Sequence, residues 1–196
     1  MLPRWAKGTI FSFFKEMEKG QRAVITQSYT EANVKNGVQF QYASYVDALA
    51  ASGIVDYVIT TGNKPLAMKG RSISFDGNGV KADVYVAPTY SGGSVDPVYG
   101  MNAINQEATT VQILTGATVT APGTQGMPGR HYLGSDPGGA RTAVITSGEV
   151  FGLETILAPN TTYLLRFTSL DTTDTQRLSL YFTWYEGGLD MPYTGE

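Results

Sequence analysis

The sequence predicts an all-β fold: an antiparallel β-sandwich, jelly-roll-like in its strand arrangement, preceded by a short N-terminal arm or helix. Three observations support this prediction. Several short runs alternate between apolar and polar residues, turn sequences separate these runs, and little room is left between them for helices. Sheets built from such strands have one apolar face, and two sheets can bury these faces against each other.

The clearest alternation lies near the C-terminus, in residues 177–186. One face of this predicted strand carries Leu178, Leu180, Phe182 and Trp184, and the other carries Ser179, Tyr181, Thr183 and Tyr185. A preceding run, 157–168, places Tyr163, Leu165 and Phe167 on a common face. The polar stretch 171–174 has turn chemistry. We therefore predict that the two runs pair as an antiparallel hairpin and that Trp184 is buried.

Further strands are predicted along the middle of the chain. The segment 76–79, Asp-Gly-Asn-Gly, is the strongest hairpin signal, and Asn36-Gly37 is a second turn signal. Residues 44–53 are compatible with either a helix or a strand. Two stretches, 88–106 and 122–140, are predicted to be loops. The predicted strands, besides those above, are residues 23–26, 38–42, 54–61, 66–75, 80–87, 109–115 and 142–147.

The first 20 residues differ from the remainder. Thr9 can cap a short helix and Gly20 can end it. Helical spacing would then align Ile10, Phe13, Phe14 and Met17 as one apolar stripe. The stripe could pack on the protein's own core or dock on another chain. We predict three regions: an N-terminal arm, 1–20; a β-sandwich domain, 21–187; and a C-terminal tail, 188–196.

The composition argues against several classes of function. Charged residues make up 16% of the 196 residues and the net charge is −3, which argues against a general nucleic-acid binder because such proteins need a basic surface. The chain has no cysteine, so disulfides and thiolate metal sites are excluded. No apolar run approaches the length of a membrane span, and the N-terminus lacks the pattern of a signal peptide. We expect the chain to act in the cytoplasm or in a particle assembled there.

Motifs for catalysis or metal binding are weak. His131 is the one histidine, and no nucleophile-elbow pattern accompanies it. Carboxylate pairs such as Glu149 with Glu154, or Asp171 with Asp174, are expected in any chain with 17 acidic residues. The segment 76–79 lacks the remaining ligands of a calcium loop. We expect no enzymatic activity, no catalytic or metal-binding residues and no cofactor. The 12 tyrosines suit an interface, a sugar-binding surface or a sandwich core.

Two patches carry a resemblance to a known family. The first is Tyr163-Leu164-Leu165-Arg166-Phe167-Thr168 after residues 157–161, followed by Phe182-Thr183-Trp184-Tyr185-Glu186. The second is Gly37-Val38-Gln39-Phe40-Gln41-Tyr42 through Asn63-Lys64-Pro65-Leu66. In this order and spacing, over residues 20–187, the chain resembles β-rich virion structural proteins of tailed bacteriophages, including capsid decoration (cement) proteins. The shared motifs are packing and turn motifs, so the resemblance implies no catalytic residue.

The resemblance implies a structural role in the virion. Such a protein binds the exterior of the bacteriophage capsid, which is assembled in the host cytoplasm, and bridges neighbouring subunits of the major capsid protein. Self-association as a dimer or trimer is expected as well. Trp5, Phe11, Phe13 and Phe14 are the candidate anchors for the capsid or a sister subunit. Two alternatives stay open: a tail or head–tail adaptor or receptor-binding virion protein, and a carbohydrate-binding or glycan-degrading protein.

Overall fold

The computed structural model describes residues 13–16, 22–25, 29–126, 131–134, 143–147 and 155–187, and it describes side chains in 31–126 and 155–187. The described elements are β1 Phe13–Glu16, β2 Arg22–Ile25, α1 Tyr29–Lys35, β3 Gln39–Leu49, β4 Ile54–Thr60, β5 Leu66–Phe75, β6 Gly79–Val86, β7 Thr89–Ser91, β8 Ser94–Asp96, β9 Tyr99–Gly100, β10 Gln112–Thr115, β11 Thr118–Ala121, β12 Thr124–Gln125, β13 His131–Gly134, β14 Ala143–Ser147, β15 Thr155–Leu157, β16 Thr162–Ser169 and β17 Gln176–Glu186.

Two large antiparallel sheets pack against each other around a shared core, so the predicted all-β sandwich is confirmed. Sheet I has the strand order β12-β6-β16-β4-β10-β8, and β13 also pairs with β6. Sheet II has the order β14-β5-β17-β3-β9, and β15 also pairs with β5. Two short ribbons, β1 with β2 and β7 with β11, complete the described strand pairs.

Both predicted hairpins are wrong, although their strands are where the sequence placed them. β5 lies in sheet II and β6 in sheet I, and β16 lies in sheet I and β17 in sheet II. The turn at 76–78 and the turn at 170–175 are therefore corners between sheets. A polar turn reverses the chain in either arrangement, but opposite sheets allow the apolar faces of the two strands to bury each other.

The two corners are joined to each other by the buried side chain of Gln176. Its Nε2 donates hydrogen bonds to the carbonyl oxygen of Gly79 at 2.7 Å and to Ser169 Oγ at 2.8 Å. Within the second corner, the Asp171 carboxylate accepts from the backbone N–H groups of Thr173 and Asp174 at 3.0 and 2.9 Å. These bonds satisfy polar groups that the corners would otherwise bury unpaired.

Aromatic side chains fill the space between the sheets. Trp184 stacks on Phe40 with ring centroids 6.3 Å apart. Phe182 stacks on Tyr42, and Tyr42 meets Tyr57 of sheet I edge to face at 6.2 Å. The inner face of β17 was predicted correctly: it comprises Leu178, Leu180, Phe182 and Trp184, each no more than 3% exposed.

The opposite face of β17 departs from the prediction at one residue. Ser179 and Tyr181 are exposed as expected, but Tyr185 is only 2% exposed. A register irregularity between Thr183 and Trp184 interrupts the pairing with β5 just before this residue. The Lys69 ammonium also lies over the Tyr185 ring, 5.3 Å from its centroid. The strict alternation therefore fails at the end of the strand, where the sheet is irregular.

The outer face of sheet I is covered. Leu164 and Val58 are neighbours on this face, yet both are fully buried. The β7/β11 ribbon connects β6 and β12, at one side of sheet I, with β8 and β10 at the other side. In the ribbon, the paired residues Tyr90 and Val119 are half-buried between exposed neighbours, which indicates that they face the sheet.

The described part of the N-terminal region does not form the predicted helix. Phe13–Glu16 is strand β1, paired with β2, and residues 1–12 and 17–21 lie outside the described residues. The described helix is instead α1. Gly37, with a φ of 77°, ends it in a two-bond cap, because its N–H reaches Val34 O and the N–H of Val38 reaches Asn33 O. The predicted turn at Asn36-Gly37 is thus a helix end.

Three other regions proved more regular than the sequence indicated. The ambiguous stretch 44–53 continues β3 as far as Leu49. The predicted loop 88–106 contains β7, β8 and β9, and the predicted loop 122–140 contains β12 and β13. Strands β8, β9, β12 and β13 are short and add to the edges of the two sheets, where the partner strand supplies the hydrogen bonds, and β7 pairs with β11 in the separate ribbon. A strand of four residues or fewer that is held by its partner strand has too short a sequence to show an alternating apolar pattern.

We expect Trp184→Ala to lower the free energy of unfolding by about 3–5 kcal/mol, because it opens a cavity against Phe40. Urea denaturation followed by circular dichroism measures this loss. Ser179→Ala, on the exposed face of the same strand, should change the value by no more than about 0.5 kcal/mol. Equal losses in the two variants would contradict the assignment of the buried face.

Candidate protein-binding surface

The middle of the outer face of sheet II is rich in tyrosine and carries no charge. Ten residues form this part, and the charged residues Asp47 and Arg177 follow at the end of the face beyond Tyr45. Tyr45, Tyr99 and Tyr181 are 74%, 59% and 38% exposed, respectively. The side chains between them are small or amide-bearing. We call this set the tyrosine face: Gln41, Ala43, Tyr45, Gly70, Ser72, Ser74, Tyr99, Ser179, Tyr181 and Thr183.

Fixed hydrogen bonding organises the middle of the tyrosine face. The Tyr181 hydroxyl donates to Gln41 Oε1 at 3.0 Å, which ties a side chain of β17 to one on β3. Gln41 pairs in register with Tyr99 on the next strand. The rings therefore sit on rigid strands and lose little conformational freedom when a partner covers them. Such preorganisation favours binding.

The outer face of sheet I has a different chemistry. Arg166 forms a two-bond ion pair with Asp56, each N–O distance being 2.7 Å. This pair raises the pKa of the Arg166 guanidinium. On the same face, Lys81 Nζ lies 2.7 Å from Oδ2 of the buried Asp83. Paired charges thus occupy the middle of the outer face of sheet I, whereas the middle of the outer face of sheet II carries no charge.

An apolar edge borders the tyrosine face where β9 ends. Tyr99, Met101 and Ile104 form this edge, and Ile104 is 98% exposed. Its loop is held in place by Asn102, whose Oδ1 accepts from the N–H groups of Ile104 and Asn105 at 3.0 Å each. Asn102 Nδ2 also donates to the carbonyl oxygen of Lys35 at 3.2 Å. An isoleucine is thus presented to solvent on an ordered loop.

The buried carboxylate of Glu186 anchors the far end of the same loop. Its Oε2 accepts from the N–H and the hydroxyl of Thr110, both at 2.7 Å. Its Oε1 accepts from the Thr109 hydroxyl at 2.5 Å and from Trp184 Nε1 at 3.2 Å. Four charge-assisted bonds compensate for the burial of the charge. They connect the loop directly to the core residue Trp184.

The buried polar side chains near the apolar edge hold the two sheets together. Tyr42, on β3, donates its hydroxyl to Asp96 Oδ2 of β8 at 2.8 Å, and Asp96 Oδ1 accepts from Thr115 at 3.1 Å. Burial raises the pKa of Tyr42 well above its ordinary value, and burial raises the pKa of Tyr57 as well. Both phenols stay neutral at physiological pH. The Tyr42–Asp96 bond closes the sandwich between its two sheets.

The carboxylate pairs considered for catalysis have other roles or lie outside the described residues. Asp171 and Asp174 lie in one turn, where the backbone N–H groups of Asp174 and Thr173 bond the Asp171 carboxylate and lower its pKa. Glu149 and Glu154 lie outside the described residues. His131 begins β13, opposite Ala82, but its side chain is not among those described. The described residues contain no group of three or more metal-binding side chains and no helix that could span a membrane.

The anchors predicted in the arm remain a prediction. Trp5 and Phe11 lie outside the described residues. Phe13 and Phe14 belong to β1, where they pair with Ile25 and Val24, so the helical spacing that grouped them does not apply. The alternation in residues 177–186 correctly predicts that Tyr181 lies opposite the core face, but no local pattern indicates the positions of Tyr45, Tyr99 and Ile104. Their grouping depends on strand pairing, and only the overall abundance of tyrosine pointed to it.

Comparison of the chain with protein-family models, curated protein sequences and solved structures finds no match. The function is therefore argued from the surface itself.

We expect Glu186→Gln to lower the free energy of unfolding by about 1–3 kcal/mol, because the amide turns an N–H₂ group towards buried donors. Hydrogen exchange of the loop 101–110 should accelerate in the same variant. Glu107→Gln is the matched control, since Glu107 forms an exposed pair with Lys64 and should contribute less than about 1 kcal/mol. Unchanged exchange in Glu186→Gln would contradict the anchoring role.

Proposed function

We propose that this chain is a structural virion protein that binds the outer surface of a bacteriophage capsid and stabilises the shell by bridging neighbouring capsid subunits. The observation that carries this proposal is the continuous surface formed by the tyrosine face and the apolar edge. Exposed tyrosines, an exposed isoleucine and an absence of charge among the ten face residues are typical of a protein-binding surface.

The area of the tyrosine face determines whether it can bind a partner protein without a second contact. Four strands about 4.8 Å apart, with about five residues each at 3.4 Å, cover about 300 Å². A stable interface between two proteins buries about 800 Å² on each partner. The tyrosine face alone is therefore too small, and a second contact is needed. The N-terminal arm supplies it in this proposal, and repetition over many copies strengthens the attachment.

The strand order supports the jelly-roll part of the proposal. One half of the sandwich runs β3-β17-β5-β14, and the other runs β4-β16-β6-β12. Successive strands alternate between the halves, except that β12 follows β6 in the same half, and this order is typical of two interlocked Greek keys. Folds of this type occur in capsid proteins and in lectins. Because a fold serves many functions, this order supports the proposal without deciding it.

The proposal is tested by cryo-electron microscopy of particles that contain the chain. Density on the outer shell in hundreds of copies, bridging capsid subunits, is the expected result. Density confined to the tail or head–tail junction, in about a dozen copies or fewer, would replace capsid decoration with the adaptor role. Absence of the chain from virions would overturn both.

We expect Ile104→Asp to weaken binding to capsids that lack this protein by tenfold or more, because a charge replaces the apolar contact. Co-sedimentation with purified capsids measures the affinity. Ile54→Asp is the matched control: Ile54 is 54% exposed but lies on sheet I, and its replacement should leave binding unchanged. Equal loss in both variants would show that general surface charge, not the apolar edge, governs binding.

Removal of residues 1–19 should leave the sandwich folded and reduce capsid affinity, because the arm carries the aromatic anchors Trp5, Phe11, Phe13 and Phe14. Lys7→Ala in the full-length chain retains those anchors and should bind normally. Circular dichroism checks the fold, and the same co-sedimentation assay measures binding. A truncated protein with full affinity would eliminate the arm from the interface.

A further inference from the structure

A shallow depression of about 270 Å³ lies at one end of sheet II, beside the tyrosine face. It is located where β5 ends and β17 begins, next to the exposed ring of Tyr45. Its lining combines charged and hydroxyl-bearing side chains with the core residues Phe75 and Leu178. The lining consists of Tyr45, Val46, Asp47, Ser74, Phe75, Asp76, Arg177, Leu178 and Ser179.

A β-bulge shapes this depression. Between β3 and β17 the register shifts, so that Asp47 and Ala48 together oppose the single residue Arg177. A bulge of this kind bends the strand and re-aims its side chains, and bulges are frequent beside functional sites. The irregularity in an otherwise continuous 11-residue strand thus coincides with the depression.

The charged groups at the rim are held in fixed positions. Asp76 accepts from the Arg177 backbone N–H at 2.6 Å and from its Nε at 2.5 Å. The Arg177 bonds hold the pKa of Asp76 below its ordinary value, and Asp76 and Asp47 raise that of Arg177. The Arg177 side chain is still 71% exposed. Its terminal amino groups therefore remain available as donors beside carboxylate acceptors.

We propose that this depression binds a single neutral saccharide ring, stacked on Tyr45 and hydrogen-bonded through its hydroxyls to Asp47, Asp76 and Arg177. An aromatic face beside paired donors and acceptors matches the two sides of a pyranose, which has an apolar C–H face and hydroxyls at its edge. The serines Ser74 and Ser179 add hydroxyls at the base of the same site.

The net charge and the volume of the depression limit which sugars can bind. Two carboxylates and one guanidinium give the site a net negative charge, so phosphorylated sugars and uronic acids are disfavoured. The volume falls just below the range of about 300–1,000 Å³ typical of small-molecule pockets, which suits one ring. The depression shares Tyr45, Ser74 and Ser179 with the tyrosine face, whereas Tyr99 and Ile104 of the apolar edge do not line it.

The test is an NMR titration of the ¹⁵N-labelled full-length chain with glucose, galactose, mannose and N-acetylglucosamine, and with glucuronate as the charged comparison. We expect saturable shifts at Asp47, Asp76 and Arg177 for at least one neutral sugar, with a Kd on the order of 1 mM for so small a ligand. Glucuronate should bind more weakly.

Three variants test whether the sugar stacks on the Tyr45 ring or whether any change to the tyrosine face alters its binding. Tyr45→Ala should weaken sugar binding tenfold or more, whereas Tyr45→Phe retains the ring and should bind within about threefold of the original chain. Tyr181→Ala, on the same face but outside the lining, should bind normally. Ile104→Asp, which alters the apolar edge but not the lining, should bind sugar normally, so failure of this site is distinguishable from failure of the shell-binding role.

The proposal is overturned if none of the four neutral sugars shifts the lining residues, if glucuronate binds at least as tightly as they do, or if Tyr181→Ala loses as much affinity as Tyr45→Ala.

Discussion

Contact between aromatic rings across the two sheets is the interaction on which the rest of the structure depends. Phe182 and Trp184 on β17 pack on Tyr42 and Phe40, and Tyr42 and Tyr57 carry the contact into sheet I. β17 is a central strand of sheet II, and its inner face is almost completely excluded from solvent. Because the neighbouring Glu186 is bonded to Trp184 and to the loop at Thr110, core packing also determines where the exposed loop lies.

The two outer faces of the sandwich have opposite properties, and this asymmetry is what points to a function. Sheet I carries ion pairs, and Leu164 is buried on its outer side. Sheet II presents three tyrosines among small uncharged side chains. An exposed face without charge is open to association, and this one is also close to Ile104. We therefore assign binding to sheet II.

A binding surface and a small polar depression on the same sheet are chemically compatible. The middle of the tyrosine face is flat and uncharged, whereas the depression near Tyr45 gathers charged groups at a bulge. A flat surface suits a folded protein partner, and a concave one with converging donors and acceptors suits a small polar ligand. Tyr45 is shared by the two surfaces, so a shell that covers the whole tyrosine face also covers the depression.

The sequence by itself determined the strands and which of their faces is buried. The alternation at Leu178, Leu180, Phe182 and Trp184 requires one apolar face, and the structure buries it. Only the tertiary structure decided how strands pair, because a polar turn such as 76–78 reverses the chain equally well within one sheet or between two. The tyrosine face depends on that pairing: Tyr45, Tyr99 and Tyr181 are far apart in sequence and become neighbours through the β17–β3–β9 register. Non-local hydrogen bonding between strands leaves no local sequence pattern, so its consequences appear only when the chain is folded.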